Sequence, residues 1–209
     1  MSSQNWNAQH KKYANTEWIN KPSLFVQFAS TFFPKEGTVL DVGCGQGQDA
    51  RYFAERGYKV VAIDFSDEGI KYAKEKSADF NINYWVRDIN DRLPFDDNSF
   101  DVVYSHLALH YFNKEKTKTI FRELKRVLNH SGVLAVFVNS VNDPEYSTGT
   151  KIEDDFFQIG DIQKHYFSER TLGEFVTDME VLVLDEKGET YKDRAISVNN
   201  LVRFIGRKK

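Results

Sequence analysis

Along the first two-thirds of the chain, apolar residues fall into short unbroken blocks. These alternate with stretches in which they recur every third or fourth position. Unbroken blocks read as buried strands, and the spaced stretches as amphipathic helices. Strands are predicted at 38–42 (TVLDV), 58–64 (YKVVAID), 82–88 (INYWVRD), 99–106 (SFDVVYSH) and 132–140 (GVLAVFVNS). Helices are predicted at 22–33, with Pro22 in the first turn, and at 48–57, closed by Gly57. A further helix covers 66–78, with Ser66 as N-cap and Asp67 and Glu68 at the positive end of its dipole. The next covers 114–132 and stops at Gly132. Alternating strands and helices imply right-handed crossovers and a parallel sheet.

Beyond residue 140 the pattern changes. Residues 141–167 form a polar, aromatic-spotted insertion, followed by a helix over 168–179. Two strand-like runs, 180–192 and 195–208, flank the turn signal "EKGE" and predict an antiparallel pair. Residues 1–20 are polar but carry Trp6, Tyr13 and Trp18, too many aromatic rings for a disordered tail. The expectation is one domain over 1–209, with a helical lid at 1–35 and a cover at 141–167.

A net charge of −3 gives no footprint for DNA or RNA. No run approaches the roughly 20 apolar residues of a membrane span, and "MSSQNWNAQHKKY" lacks the apolar stretch of a signal peptide. The single cysteine, Cys44, excludes an intramolecular disulfide framework and an all-cysteine metal site. These readings favour a cytoplasmic protein, monomeric or homodimeric, acting on a small molecule with no nucleic-acid or membrane partner.

The stretch "VLDVGCGQGQDA" places Gly43, Gly45 and Gly47 directly after a strand. That G-x-G-x-G differs from the G-x-G-x-x-G of dinucleotide binders, and no Gly-Lys-Ser/Thr follows as in a P-loop. Asp64 ends the second strand, where a carboxylate accepts from a ribose diol. Asp88 ends the third strand at a height suited to an exocyclic amine, and Ile89 suits a purine face. Ribose, purine and a close backbone approach together describe an adenosine ligand without phosphates. For Asp64 and Asp88 the competing readings are a helix cap and a turn.

These residues resemble class I S-adenosylmethionine-dependent methyltransferases, in "VLDVGCGQG", "VVAIDFS", "RDINDRLPFDDNSFDVVYSHLALHYF" and "FRELKRVLNHSGVLAVF". "LPFDDNSFDVV" is similar to the small-molecule branch, and "YANTEWINKPS" loosely to tellurite-resistance-like members. The resemblance implies a doubly wound, seven-stranded, mostly parallel α/β sheet closed by an antiparallel last strand, for which "NNLVRFIG" is the candidate. It implies S-adenosylmethionine as cofactor and S-adenosylhomocysteine as product. Asp41 and Gly43 would face the methionine ammonium, with Cys44 and Gly45 along the ligand. Asp64 would hold the ribose hydroxyls, Phe65 would cover one adenine face, and Asp88 and Ile89 would address the adenine edge. Ser105 and His106 would line the sulfonium end, and Tyr13 and Trp18 would form the lid.

Methyl transfer needs alignment, exclusion of water and sometimes a base. His110, or His106 four positions before it, is the candidate proton acceptor; with no third ligand in register, no metal is expected. The insertion offers Tyr146, Phe156, Phe157, His165 and Tyr166, with Glu153, Asp154 and Asp155 as an acidic side suited to an amine. The expected activity is methyl transfer to a small-molecule acceptor. Alternatives are a protein or nucleic-acid methyltransferase, an NAD-dependent oxidoreductase and a non-catalytic, cofactor-binding regulator.

Overall fold

The apolar blocks become the strands of one sheet. The computed structural model describes residues 3–195 and 200–209. β1 (Thr38–Val42), β2 (Lys59–Asp64), β3 (Ile82–Val86), β4 (Phe100–His106) and β5 (Leu128–Asn139) run parallel. β6 (Thr150–Glu153), β7 (Phe156–Ile159) and β8 (Ile162–His165) form a small antiparallel sheet of their own. β9 (Met179–Gly188) and β10 (Leu201–Lys208) join the large sheet, whose order is β3-β2-β1-β4-β5-β10-β9. β10 is antiparallel to both its neighbours.

The central strands β1, β4 and β5 are buried on both faces and so read as nearly continuous apolar runs, whereas the edge strands β3 and β9 are partly exposed. In β5, Leu134, Val136 and Val138 point into one core and Val133, Ala135 and Phe137 into the other. The first core is closed by α5 (Lys114–Val127) and the segment containing α6 (Glu169–Gly173), through Ile120, Phe121, Leu124, Leu172 and Phe175. The second is closed by α2 (Leu24–Ala29), α3 (Gln48–Glu55) and α4 (Asp67–Lys76). α1 (Ser3–Tyr13) buries no residue fully, and α7 (Tyr191–Ala195) lies between β9 and β10. The result is a doubly wound α/β sandwich with one antiparallel strand.

Local chemistry explains several boundaries. Ser66 caps α4 by accepting from the Gly69 amide at 2.9 Å. Pro22 stands just ahead of α2, because Ser23 is the residue that caps it through the Val26 amide. α5 ends at Val127, five positions before Gly132, and β5 begins at once. The carbonyls of its last turn are taken from outside the helix. Asn98 and Ser99 amides donate to Arg126 and Val127, and Lys208 Nζ donates to Lys125 and Leu128. "EKGE" is not a turn, since β9 continues to Gly188, paired with Leu201. A Cβ on Gly188 would lie 2.2 Å from the Phe137 ring, so this glycine admits a core side chain. The strand expected from residue 195 starts at Leu201, and 196–199 lie outside the described residues.

Candidate functional site

Strand order reverses between β1 and β4, and the carboxyl ends of strands at such a reversal are where open α/β sheets bind ligands. A cavity of about 650 Å³ opens there. Its floor is the turn from β1 into α3. Gly43, Gly45 and Gly47 all take left-handed φ values, of 73°, 54° and 75°. A Cβ at Gly43 would lie 2.2 Å from the Ala108 side chain, and one at Gly47 would lie 2.3 Å from the Tyr84 hydroxyl. Two of the three glycines therefore admit neighbouring protein, whereas Gly45 lines the cavity beside His10.

Asp64 closes this floor. Its Oδ2 accepts from the Gly45 amide at 2.9 Å and its Oδ1 from the Ser66 amide at 2.8 Å. Burial raises its pKa despite those bonds and the nearby His10. Asp41, beneath the turn, is 2% exposed, and burial beside Asp49 and Asp64 pushes its carboxyl well above the usual range. Asp49 is anchored instead, accepting from the Ser23 amide, the Ser23 hydroxyl and the Tyr104 hydroxyl at 2.7–2.8 Å. Asp88 lies two residues past β3, where its Oδ1 accepts from the amide and side chain of Asn90.

Tyr13, Trp18, Asp41, Gly43, Cys44, Gly45, Asp64, Phe65, Asp88, Ile89 and His106 all line this one cavity. Ser105 and His110 do not. Ser105 is fully buried, and its hydroxyl donates to the Val42 carbonyl at 2.9 Å, tying β4 to β1. His110 is 2% exposed, and its ring packs on Tyr111 at 4.2 Å. Burial first, then the charges of Lys164, His106 and His165, lower its pKa to about 3. His106 reaches the cavity from a stack on Phe137 and Phe25, and burial lowers its pKa as well. Among the described residues no cluster of His, Cys, Asp or Glu is suited to a metal ion.

The helix α1 supplies residues that the motifs do not announce. Trp6, Gln9, His10 and Tyr13 all line the cavity. Their spacing is that of one helical face, which is the signal available in the sequence. Asn7 fastens the helix, donating to Asp67 and accepting from the Ser66 hydroxyl, both at 2.6 Å. Gln46 Nε2 donates to the His10 carbonyl at 2.8 Å.

The insertion also differs from expectation. Tyr146, Phe157 and Tyr166 pack edge to face on one another, and His165 Nδ1 meets the Phe112 carbonyl. Of the aromatic residues named there, only Phe156 lines the cavity. Glu153, Asp154 and Asp155 bond to Asn113, Lys151 and Tyr146, so the acidic side expected for an amine does not line the cavity. Ile162, Gln163 and Lys164 of β8 line it instead. The hairpin behind them was marked by Gly160-Asp161 between apolar runs, a two-residue turn signal.

Among the described residues, buried polar atoms without a partner include Asp41 Oδ2 and the Oε1 atoms of Gln9, Gln46 and Gln48. All four belong to cavity-lining residues and are acceptors when Asp41 is ionised. The cavity thus combines an apolar aromatic wall with residues whose buried acceptor atoms have no partner in the protein.

Residues 40–136 match a family model described as a methyltransferase domain. Over 128 residues the chain is 30% identical to malonyl-[acyl-carrier protein] O-methyltransferase of Salmonella typhimurium, covering 61% of this chain and 48% of that one. The chain spans less than half the length of the first curated relatives it matches. A methyltransferase structure from Methanosarcina mazei superposes with a TM-score of 0.74 at 21% identity, covering 87% of this chain and 96% of that one. Burkholderia thailandensis 1,6-didemethyltoxoflavin-N1-methyltransferase, solved with 1,6-didemethyltoxoflavin and S-adenosylhomocysteine bound, gives 0.73 at 16% identity, covering 99% and 84%.

Proposed function

We propose that the chain is a class I methyltransferase that transfers a methyl group from S-adenosylmethionine to a small-molecule acceptor, a reading supported by the methyltransferase-domain match over residues 40–136 and by the doubly wound sheet. The observation that carries this reading is the set of unpartnered acceptors at the glycine turn. A ligand with an ammonium group brings N–H donors to Asp41 Oδ2 and to the glutamine oxygens, which a phosphate-bearing dinucleotide would not.

Asp41, Gln46 and Gln48 hold the amino-acid end in this reading, beside Gly43, Cys44 and Gly45. Asp64 receives the ribose hydroxyls, and Phe65, Asp88 and Ile89 frame the adenine. When bound, S-adenosylmethionine supplies a methyl group already activated by a sulfonium, whose S–C bond breaks as the acceptor bond forms and whose electron pair stays on sulfur. Trp6, Tyr13 and Trp18 exclude water and hold the acceptor in line, which is most of what such a step requires. His106, half-buried on the wall with its pKa lowered by desolvation, is the ring placed to orient or deprotonate an acceptor. His110 acts behind that wall, as packing for Tyr111.

No helix among the described residues is long and apolar enough to cross a membrane, and we read the protein as cytoplasmic, built as one domain with α1 as its lid. Calorimetry with S-adenosylhomocysteine and with NADH tests the proposal. Binding of the first alone is expected, whereas binding of NADH alone would replace this reading by an oxidoreductase. Tight binding without turnover over a broad acceptor panel would favour a regulator.

A further inference from the structure

The cavity is charged unequally. Its lining carboxylates are Asp41, Asp49, Asp64 and Asp88, and all stand on the strands β1 and β2, the turn after β3, or the first turn of α3. The walls drawn from residues 106–116 and 156–164 contribute no carboxylate and two ammonium groups, Lys116 and Lys164, while on the acidic side Arg87 stands next to Asp88. Lys116 Nζ is committed to the Asn90 carbonyl at 2.8 Å, on the rim near Asp88. Lys164 stands on β8 opposite Phe157 of the paired strand and on the same face as the lining residue Ile162, whereas Phe156 pairs with His165.

The Lys164 side chain is 19% exposed, an unusual degree of burial for a residue type that normally reaches solvent. Its Nζ donates to Glu145, which lies outside the cavity lining and is 54% exposed. An ammonium has three N–H donors, so a single bond to Glu145 leaves it able to bind a second acceptor. The glutamate fixes the end of a flexible side chain and offsets part of its charge. What remains suits a monoanion, since Glu145 already offsets part of the charge, while Lys116 and Arg87 stand apart from it beside Asp88 and Asn90.

We propose that the acceptor is a carboxylic acid with an apolar body, its carboxylate held by Lys164 Nζ and its body against Tyr111, Phe112 and Ile162. This rests on the methyltransferase reading and adds the class of acceptor to it. Lys164 then determines specificity, on the element where this chain departs from a plain doubly wound sheet.

The test uses the full chain saturated with S-adenosylhomocysteine and follows tryptophan fluorescence, since Trp6 and Trp18 line the cavity. Aryl and alkyl carboxylates from benzoate to octanoate are titrated, each against its neutral amide. The acids are expected to bind at least about tenfold more tightly than their amides, as a charge-assisted bond requires. Lys164→Gln should abolish that preference while leaving the melting temperature and S-adenosylhomocysteine affinity unchanged. Glu145→Gln, which removes the competing carboxylate, should strengthen the preference. Equal binding of acids and amides, no binding of either, or a preference surviving in Lys164→Gln overturns the proposal. Failure of the wild-type chain to bind S-adenosylhomocysteine is a different outcome and removes the methyltransferase reading itself.

Discussion

The carboxylate of Asp64 receives the backbone N–H of Gly45 at 2.9 Å, joining the end of β2 to the glycine turn after β1. The bond shapes the floor of the cavity before any ligand arrives, and Oδ1 meanwhile holds the Ser66 amide. A ribose must share these oxygens with two protein donors. Asp64→Ala is expected to weaken S-adenosylhomocysteine binding by about 1–3 kcal/mol, the scale of a lost bond to a charged group. Calorimetry reads it, and an unchanged affinity would reduce Asp64 to a tie between loops.

Asp41 is expected to oppose stability while it serves binding. Its pKa is raised in the folded chain, so the native state holds a proton that the unfolded state releases. Stability is therefore lost as pH rises through the folded pKa. Asp41→Asn removes that loss and should stabilise the ligand-free protein at neutral pH by about 1–2 kcal/mol, while abolishing most cofactor affinity. Binding to wild type should release a proton and tighten as pH rises. Calorimetry in buffers of different ionisation enthalpy measures the proton count, and zero release would contradict the role given to Asp41.

His110 carries the opposite sign. Its pKa falls from 6.5 to about 3 in the folded chain, so the unfolded state binds the extra proton. Stability from this group is complete above pH 6.5 and is lost as pH falls toward 3, on the order of 5 kcal/mol in total. Urea midpoints from pH 7 to pH 4 should fall less steeply in His110→Gln than in wild type. Parallel slopes would show that the ring is not held neutral.

The two bonds of Asn7 fasten α1 over the glycine turn through Ser66 and Asp67. Asn7→Ala is expected to raise the dissociation rate of S-adenosylhomocysteine by about tenfold, roughly 1.4 kcal/mol, with little change in global melting. Stopped-flow fluorescence reads it, and an unaltered rate would mean that α1 does not retain the ligand.

How much of this was legible varied with the range of the interactions involved. β1, the cap of α4 and the G-x-G-x-G turn lie open in the sequence because each is fixed by neighbours within a few positions. The last carbonyls of α5 are taken by Lys208, far along the chain, and by the Asn98 and Ser99 amides, and no glycine before Gly132 marks the stop. Ser105 has the position of a site residue, yet its hydroxyl is satisfied by a carbonyl of the adjacent strand. Composition showed that 141–167 was aromatic. Which rings pair with one another and which face the cavity depends on hairpin register, where a one-residue shift exchanges the faces.

β10 follows β9 in the chain but lies inside it in the sheet, and among the described residues β9 pairs with no other strand. During folding, β9 therefore cannot add to the sheet until the segment after it has docked on β5. The long-range pairing of β5 with β10 becomes the gate through which the last two strands enter together, and a defect at that seam would delay both.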